Sequence, residues 1–351
     1  MNAPLASGAP PNCLSDHPDF ADIVRAAAEY HRIIPSLVLK DYWVTRVLRA
    51  IAGDPELRGQ VLFKGGTSLS KGWGLIDRFS EDVDLLLTGD GFGPVPTEPR
   101  AREKRMKRLR SRIEADTPLR LPDQKSLSRK EWIFFYGRFD YNITIRYPLP
   151  SRATAAGLTS SDWVLVEAGF RGGPQPHENR PIGSLIAEFL VNEPGAAGVI
   201  KDYSQDSTSF GMDALKPERT LAEKLLLLHE RMSRGVEGAR KVPTRHYYDT
   251  AMLWERSPEV RRCVESGAIA ELVREAAVIS NTYFGAGIEV TRLDLRSSRA
   301  LDPDPEQVAV LRARYDDPLE RALYYRERPL FDRLLQMIAE LRQALSGPLG
   351  G

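Results

Sequence analysis

The segment from residue 61 to residue 87 constrains the fold most, because it predicts a strand, a glycine turn, a helix and a second strand in that order. Residues 61–63 are the apolar run Val-Leu-Phe, and Gly65-Gly66 follow directly after Lys64. Residues 83–87, Val-Asp-Leu-Leu-Leu, are typical of a buried strand. Glycine turns and short apolar runs are each common, but this order of elements is far more specific than any one of them.

Two carboxylates, Asp82 and Asp84, are separated by one residue on the second predicted strand. Side chains alternate along a strand, so both carboxylates are expected on the same face. Two like charges that close are unfavourable unless a cation neutralises them, and magnesium binds one or two carboxylates together with phosphate oxygens. An exposed edge strand with alternating acids is the alternative interpretation. We predict a Mg2+ (or Mn2+) site that holds a nucleoside triphosphate (NTP).

The turn that precedes this strand has the chemistry of a phosphate-binding loop. Gly65 and Gly66 let backbone amides approach an anion closely, and the N-terminus of the following helix adds its positive dipole end. Thr67 and Ser68 could donate hydroxyl hydrogen bonds to phosphate. Taken alone, a Gly-Gly-Thr-Ser turn is more often a plain tight turn, so the prediction depends on the aspartate pair downstream.

The composition excludes several classes of protein. Lysine and arginine (49) almost balance aspartate and glutamate (48), so any nucleic-acid or membrane surface has to be local. Cys13 and Cys263 alone form neither a disulfide framework nor a zinc pattern, which fits a reducing compartment. No uncharged apolar run approaches the roughly 18 residues that span a bilayer, and no secretion signal is apparent. We expect a soluble, cytoplasmic protein with no membrane partner.

The chain is expected to contain three segments. Residues 1–15 are rich in Pro, Ala, Ser and Gly and are predicted to form a flexible tail. Residues 16–195 are predicted to form an α+β core with a mixed sheet, and residues 196–351 a mainly helical C-terminal domain that contributes late active-site motifs. Further strands of the sheet are predicted at residues 131–136, 139–147 and 163–168.

Two stretches of the first-described segment resemble a known family. Residues 64–71, Lys-Gly-Gly-Thr-Ser-Leu-Ser-Lys, and residues 78–85, Arg-Phe-Ser-Glu-Asp-Val-Asp-Leu, are similar to the signature of the nucleotidyltransferase AbiEii/AbiGii toxin family, within the polymerase-β-like superfamily. The resemblance spans roughly residues 36–256. Further similar motifs lie at residues 39–44, 164–170, 223–225 and 245–249.

The resemblance implies a polymerase-β-like nucleotidyltransferase core, in which Asp82 and Asp84 bind the metal and Glu167 is the third catalytic carboxylate and metal ligand. As a general base or as a ligand of a second metal, Glu167 would have to face the strand that carries the aspartate pair. Polymerase-like enzymes usually offer aspartate at this position, so the longer side chain leaves the number of bound metals open. A solvent-facing glutamate at a strand end is the alternative.

The resemblance also implies which residues bind the nucleotide: Lys64, Gly65, Gly66, Thr67, Ser68 and Lys224. Lys224 lies beside apolar positions on a helix predicted at residues 217–234, where a long ammonium side chain suits a triphosphate. A lysine that reaches from the core edge to solvent is the alternative. Asp249, on the next predicted helix, belongs to the implied catalytic set, and it either positions Lys224 or binds the nucleotide.

A basic helix is predicted between Pro99 and Asp116. Residues 100–112 contain eight Arg or Lys against one Glu, although the protein as a whole is nearly neutral. Positive charge concentrated close in sequence to the predicted catalytic strand would suit contact with an RNA backbone. A solvated face is the alternative. The candidate RNA-binding residues are Arg105, Lys107, Arg108 and Arg112.

Taken together, the residues and the resemblance predict an enzyme that transfers a nucleoside monophosphate from an NTP to an acceptor hydroxyl. The family points to RNA, and to the 3′ end of tRNA in particular, as the acceptor. It also implies a toxin of a toxin–antitoxin or abortive-infection system, restrained by a cognate antitoxin. Two alternatives are a small-molecule (antibiotic) nucleotidyltransferase and a non-catalytic nucleotide-binding protein.

Overall fold

The computed structural model describes residues 13–80, 82–150, 163–321 and 323–345. Within these ranges the chain forms a seven-stranded mixed sheet with helices on both sides, which confirms the predicted α+β class. The strands are β1 (Val61–Lys64), β2 (Asp82–Leu87), β3 (Tyr136–Arg138), β4 (Asn142–Pro148), β5 (Trp163–Gly169), β6 (His177–Ile182) and β7 (Phe210–Leu215).

The helices fall into two groups along the chain. Those in the first part are α1 (Phe20–His31), α2 (Pro35–Ala52), α3 (Gly65–Lys71), α4 (Pro99–Asp116), α5 (Arg129–Phe135), α6 (Leu185–Asn192), α7 (Ala197–Asp202) and α8 (Ser204–Ser207). After β7 come α9 (Pro217–Met232), α10 (Gly235–Lys241), α11 (Arg245–Arg256), α12 (Pro258–Glu265), α13 (Ile269–Phe284), α14 (Pro305–Tyr315), α15 (Pro318–Arg321) and α16 (Phe331–Ala344).

The sheet order is β3-β4-β5-β2-β1-β7-β6, which places β2 and β1 at its centre. β2 runs parallel to β5, and β1 runs parallel to β7. The register pairs Asp84 with Lys64 on one side and with Glu167 on the other. Directly paired residues project to the same face of a sheet, so these three side chains share one face.

The two faces of the sheet have different roles. Val83, Leu85 and Leu87 of β2 are buried in a hydrophobic cluster together with residues of α1, α2 and α4. Because side chains alternate along a strand, Asp82 and Asp84 project to the opposite face. One face of the central strands therefore contributes to the core, and the other carries the polar groups of the predicted signature.

The buried residues form two large clusters that divide the chain close to Lys216. The first contains residues from Leu14 to Ala214, and the second contains Leu69, Ile76 and residues from 221 to 345. The predicted domain boundary lies between residues 195 and 196, but β7 comes after it and pairs with β1 inside the sheet. The segment expected to be helical thus supplies an inner strand of the sheet, and the division into domains stays a prediction.

The strand predicted at residues 131–136 is wrong, since α5 occupies most of this segment. Ser128 and Glu131 form a capping box, in which each side chain accepts a hydrogen bond from the backbone amide of the other residue. This local start signal outweighs the β preference of the aromatic residues that follow. β6 was not predicted, because its sequence, His-Glu-Asn-Arg-Pro-Ile, lacks alternation; it is an edge strand, where Pro181 is tolerated.

The end of the predicted flexible tail is packed against the core. Residues 1–12 lie outside the described ranges, but Cys13 and Leu14 are buried. The backbone amide of Leu14 donates a hydrogen bond of 2.7 Å to Asp206, which also forms a buried ion pair of 2.8 Å with Arg46. A second nitrogen of Arg46 lies 2.9 Å from the Cys13 sulfur. Burial of Leu14 and these polar contacts fix Cys13 and Leu14, which composition alone assigned to the tail.

We predict that Arg46→Met lowers the free energy of unfolding by about 3–5 kcal/mol, because it leaves the Asp206 carboxylate buried without its cation. Urea denaturation followed by circular dichroism would measure the change. The matched control is Arg25→Met, which breaks the exposed pair with Asp22 and should have far less effect. Equal stability of the Arg46 variant and the wild type would contradict the structural role of this pair.

Candidate active site

The predicted carboxylates meet in one cleft of about 390 Å³. Asp82 and Asp84 line it from β2, and Glu167, the direct neighbour of Asp84 on β5, lines it as well. The facing wall consists of side chains from α9, α11 and α13. The cleft thus lies between the polar face of the sheet and the helices of the second hydrophobic cluster.

The three carboxylates repel one another. Burial and the negative charges of Asp82 and Glu167 raise the pKa of Asp84 to about 7, although Lys64 and Lys224 act in the opposite direction. The pKa of Glu167 is also raised, because the cleft walls limit hydration of its carboxyl group and Asp82 adds negative charge. Arg146 and Arg245 oppose that shift. An additional cation at this position would relieve the repulsion.

The donor set fits a magnesium ion that is completed by substrate. Asp82 and Asp84 offer oxygen ligands from the same strand face, and magnesium usually takes one or two carboxylates together with phosphate and water oxygens. Within the described ranges, no group of three His, Cys, Asp or Glu side chains is arranged to hold a metal alone. The two aspartates therefore suit the metal, while Glu167 as a third ligand stays a prediction.

The glycine turn lies directly against the aspartate pair. Gly65 has a positive φ of 73°, and a Cβ atom at this position would collide with the carboxylate of Asp84. A Cβ at Gly66 would lie 2.5 Å from the guanidinium of Arg78. Both glycines line the cleft. Only residues without a side chain let the backbone at the start of α3 approach Asp84 this closely.

The hydroxyls of Thr67 and Ser68 donate hydrogen bonds within the protein, and their contact with phosphate stays a prediction. Both residues are buried, and neither lines the cleft. Thr67 donates hydrogen bonds to the backbone oxygens of Asp82 and, at 3.3 Å, of Ser80. Ser68 donates to the backbone oxygen of Gly65 at 3.0 Å. The side chains point inward because they connect the turn to β2, so their hydroxyls position the site and do not face it.

Asp249 holds Lys224 and Arg78 in a buried ion network. Its two carboxylate oxygens each accept a hydrogen bond of 2.6 Å from Arg78, and one also accepts from the Lys224 ammonium at 2.7 Å. Burial alone would raise the pKa of Asp249, but the charges and hydrogen bonds of Arg78 and Lys224 outweigh burial and hold it well below its usual range. Asp249 is fully buried and does not line the cleft, so it positions Lys224.

His246 lies beside this network and lines the cleft. Its Nδ1 atom is 3.4 Å from the Lys224 ammonium nitrogen. Burial and the positive charge of Lys224 lower the pKa of His246 to about 3, so the ring is neutral at physiological pH. An ammonium group can only donate, which makes Nδ1 the acceptor and leaves the proton on Nε2.

Several cleft residues were not identified from the sequence. Arg78 lies within the quoted signature, but its bond to Asp249 joins residues far apart in the chain. Glu223 accepts a hydrogen bond of 2.6 Å from Lys64, whose ammonium also reaches the backbone oxygen of Arg171 at 3.2 Å. Arg245 lines the cleft from the first turn of α11. Two signals were available: Glu223 and Arg245 lie in motifs similar to the family, and Glu223 shares with Lys224 the face of α9 that carries Thr220.

The basic helix α4 lies away from the carboxylates. Its apolar residues Met106, Leu109 and Ile113 pack into the first cluster, on the face of the sheet opposite Asp82 and Asp84. The charge of each candidate RNA-binding residue is also compensated locally. The ion pairs are Arg105 with Asp90, Lys107 with Glu103, Arg108 with Asp54 and Glu56, and Arg112 with Asp116. RNA binding by α4 stays a prediction, and the structure gives it no support.

The aspartate pair lies beside the glycine turn and faces a buried lysine, which is the arrangement expected of a nucleotidyltransferase. A sequence model of the family described as "Nucleotidyl transferase AbiEii toxin, Type IV TA system" matches residues 46–337. The chain therefore belongs to the AbiEii nucleotidyltransferase toxin family, as the sequence motifs predicted. It is an enzyme of this class and a toxin of a type IV toxin–antitoxin system, which implies an NTP substrate and an antitoxin.

Seven chains of solved structures match this chain, among them one nucleotidyltransferase toxin. MenT4, a nucleotidyltransferase toxin from Mycobacterium tuberculosis H37Rv, is 15% identical to this chain, with a TM-score of 0.45. The similarity covers 91% of this chain and 98% of MenT4. No curated protein matches the chain. Among the described residues, no helix is both long and apolar enough to cross a membrane.

We predict that Asp249→Asn lowers the free energy of unfolding at pH 7 by about 3–5 kcal/mol, because two cations then lack their buried counter-charge. The pKa of Asp249 is lowered in the folded state, so this contribution is complete above the unfolded value of 3.8. The difference between variant and wild type should stay constant from pH 8 to 5 and shrink below about pH 4. Urea titrations at each pH would measure it.

The matched control is Asp332→Asn, which removes one partner of an exposed ion pair with Arg312. It should leave stability unchanged over the same pH range. A pH-independent difference for Asp249→Asn would show that this carboxylate does not carry the charge assigned to it.

Proposed function

We propose that the protein transfers a nucleoside monophosphate from a magnesium-bound NTP to a hydroxyl at the 3′ end of an RNA, with tRNA as the acceptor. The observation that carries the proposal is the position of Asp82 and Asp84 on one strand face, against the Gly65-Gly66 turn and opposite Lys224. In this role the enzyme would act in the cytoplasm and stop translation until its antitoxin restrains it.

The phosphates would be held by charge and by backbone amides. Lys224 and Arg245 line the cleft opposite the glycine turn. Asp249 fixes the Lys224 ammonium before substrate arrives, so little reorganisation is needed when the phosphates bind. When bound between Asp82 and Asp84, magnesium would neutralise the phosphate charge and stabilise the leaving oxygens.

Glu167 is proposed to act on the acceptor. Its side chain lines the cleft, beside Asp84 in the strand register. A raised pKa favours proton uptake, so Glu167 could accept the proton of the attacking hydroxyl. The alternative, binding of a second metal, uses the same carboxylate.

A surface suited to single-stranded RNA lies next to Glu167. Arg146 projects from β4 to the same face of the sheet and stacks 4.7 Å from the ring centre of Phe134. Phe134 is 43% exposed and contacts Trp163 edge-on. Arg146 also donates a hydrogen bond of 2.7 Å to the backbone oxygen of Phe134, and both Arg146 and Arg245 act electrostatically on Glu167. Cationic side chains beside exposed aromatic rings are typical of single-strand recognition, which favours RNA over a small-molecule acceptor.

We predict that Asp82→Asn and Asp84→Asn each abolish transfer while the fold is kept. Purified protein, magnesium, the four labelled NTPs and total tRNA would be incubated, and labelled RNA measured. Asp84→Asn should also raise the melting temperature at pH 8, because ionised Asp84 destabilises the free protein above its unfolded pKa of 3.8.

The control is Asp90→Asn, an exposed aspartate that pairs with Arg105 outside the cleft, and it should retain activity. Wild-type turnover in either cleft variant over a magnesium titration would contradict the metal assignment. If a small molecule became labelled and RNA did not, the acceptor would be a small molecule and not RNA.

We predict that Arg146→Gln with Arg245→Gln weakens tRNA binding and flattens its salt dependence. Each lost phosphate contact changes the slope of log affinity against log salt by about 0.7 for a single strand. The comparison is the fourfold Gln variant of Arg105, Lys107, Arg108 and Arg112, which should keep the wild-type slope. Binding would be measured without NTP, on variants with unchanged melting temperature. A flattened slope in the fourfold variant alone would move the RNA site to α4.

A further inference from the structure

One end of the cleft contains polar atoms that the proposed transfer does not use. α9 presents Thr220, Glu223, Lys224 and Leu227 to the cleft. Residues three and four apart share one face of a helix, so this stripe forms a continuous wall. Lys224 serves the phosphates, which leaves Thr220 and Glu223 without an assigned ligand.

One side-chain oxygen of each residue lacks a hydrogen-bond partner among the described residues. Thr220 is only 4% exposed, and its hydroxyl has no partner among the described residues. Glu223 receives a hydrogen bond from Lys64 on one oxygen, Oε2, but its buried Oε1 accepts none from the described part of the chain. Arg219 forms an ion pair with that oxygen at 3.6 Å, which is too long for a good hydrogen bond. Thr220 and Glu223 both line the cleft, so a ligand bound there can supply the hydrogen bonds that these oxygens lack.

Gly172 keeps the Glu223 oxygen reachable. This glycine lines the cleft, and a Cβ at its position would lie 2.6 Å from Glu223 Oε1 and 3.4 Å from the Lys64 nitrogen. Any side chain there would close off the oxygen. The space beside Glu223 therefore depends on a residue with no side chain.

The strand order places this pair on the nucleotide side of the metal. Glu167 on β5, Asp84 on β2 and Lys64 on β1 follow one another across the sheet. On this face of the sheet, the Lys64 ammonium donates a hydrogen bond to Glu223. Because the acceptor is proposed to approach Glu167, the side of Asp84 that carries Glu223 and Thr220 is left for the nucleoside of the NTP.

We propose that Glu223 and Thr220 bind the ribose hydroxyls of the incoming NTP and make the enzyme select ribonucleotides over deoxyribonucleotides. This inference rests on the proposed use of an NTP in this cleft. Ribose hydroxyls are donors, and a carboxylate oxygen without a donor is their natural acceptor, as in other nucleotide sites where an acidic residue binds the ribose. The Thr220 hydroxyl can donate or accept. Leu227 and Ala276 provide an apolar wall for the attached base.

The test measures binding in the absence of RNA. Dissociation constants for the four NTPs and the four corresponding dNTPs, each with magnesium, would be obtained by calorimetry. The wild type is expected to bind its preferred NTP at least about tenfold more tightly than the matching dNTP, because the deoxy analogue leaves buried polar groups unpaired.

Two variants should reduce this ratio several-fold. In Glu223→Gln, the Lys64 ammonium attracts the amide oxygen and leaves an NH2 donor in place of Oε1, which removes the acceptor. Thr220→Val removes the hydroxyl but keeps the shape. The matched control is Thr250→Val, because Thr250 is also buried with an unpaired hydroxyl among the described residues but does not line the cleft. It should keep the wild-type ratio.

Equal wild-type affinity for ribo- and deoxyribonucleotides would overturn the proposal. The proposal would also be overturned if the variants changed the preference among bases and left the ratio of NTP to dNTP affinity intact. Glu223 Oε1 would then bind an amino group of the base. Failure of the proposed function looks different: the ribose preference would remain, and no RNA would be labelled in the transfer assay.

Discussion

Asp249 is a buried carboxylate that two cations share, and the arrangement of the cleft depends on it. Arg78 reaches it from the segment just before β2, and Lys224 reaches it from α9. A buried charge that loses its partners is strongly destabilising, so each cation holds the others in place. Backbone hydrogen bonds from Phe79 to Leu323 and from Tyr325 to Asp77 attach the C-terminal part of the chain at the same point. The ion network thus joins the sheet to the helices that close the cleft.

The parts of the site that follow from local sequence rules could be predicted. β1, the glycine turn and β2 each carry their own signals, and the shared face of Asp82 and Asp84 requires only the period of a strand. The pairing of Asp84 with Glu167 depends on how distant strands associate, and it was inferred only from the resemblance. Lys224 and Asp249 lie on two different helices, so spacing along the sequence could not show that they are in contact.

The other differences have one local cause and two long-range causes. Aromatic residues at 132–136 favour a strand, but the Ser128 capping box starts a helix. Thr67 and Ser68 have the chemistry of phosphate ligands, and only the position of β2 shows that their hydroxyls turn inward. The charge of α4 is visible in the sequence, whereas its acidic partners come partly from distant residues such as Asp54. A count of the charged residues in α4 alone does not include these ion pairs.

Lys224 takes its position from the register of the sheet. β7 lies beside β1, and α9 begins at Pro217, directly after β7 ends at Leu215. The length of the chain between β2 and β7 does not enter this geometry, so related chains could lengthen or shorten loops there at little cost in closure entropy. A single residue inserted between Leu215 and Lys224 is a different matter, because it would rotate the lysine by about 100° around the helix axis. Tolerance of insertions should therefore change abruptly at the junction of β7 and α9.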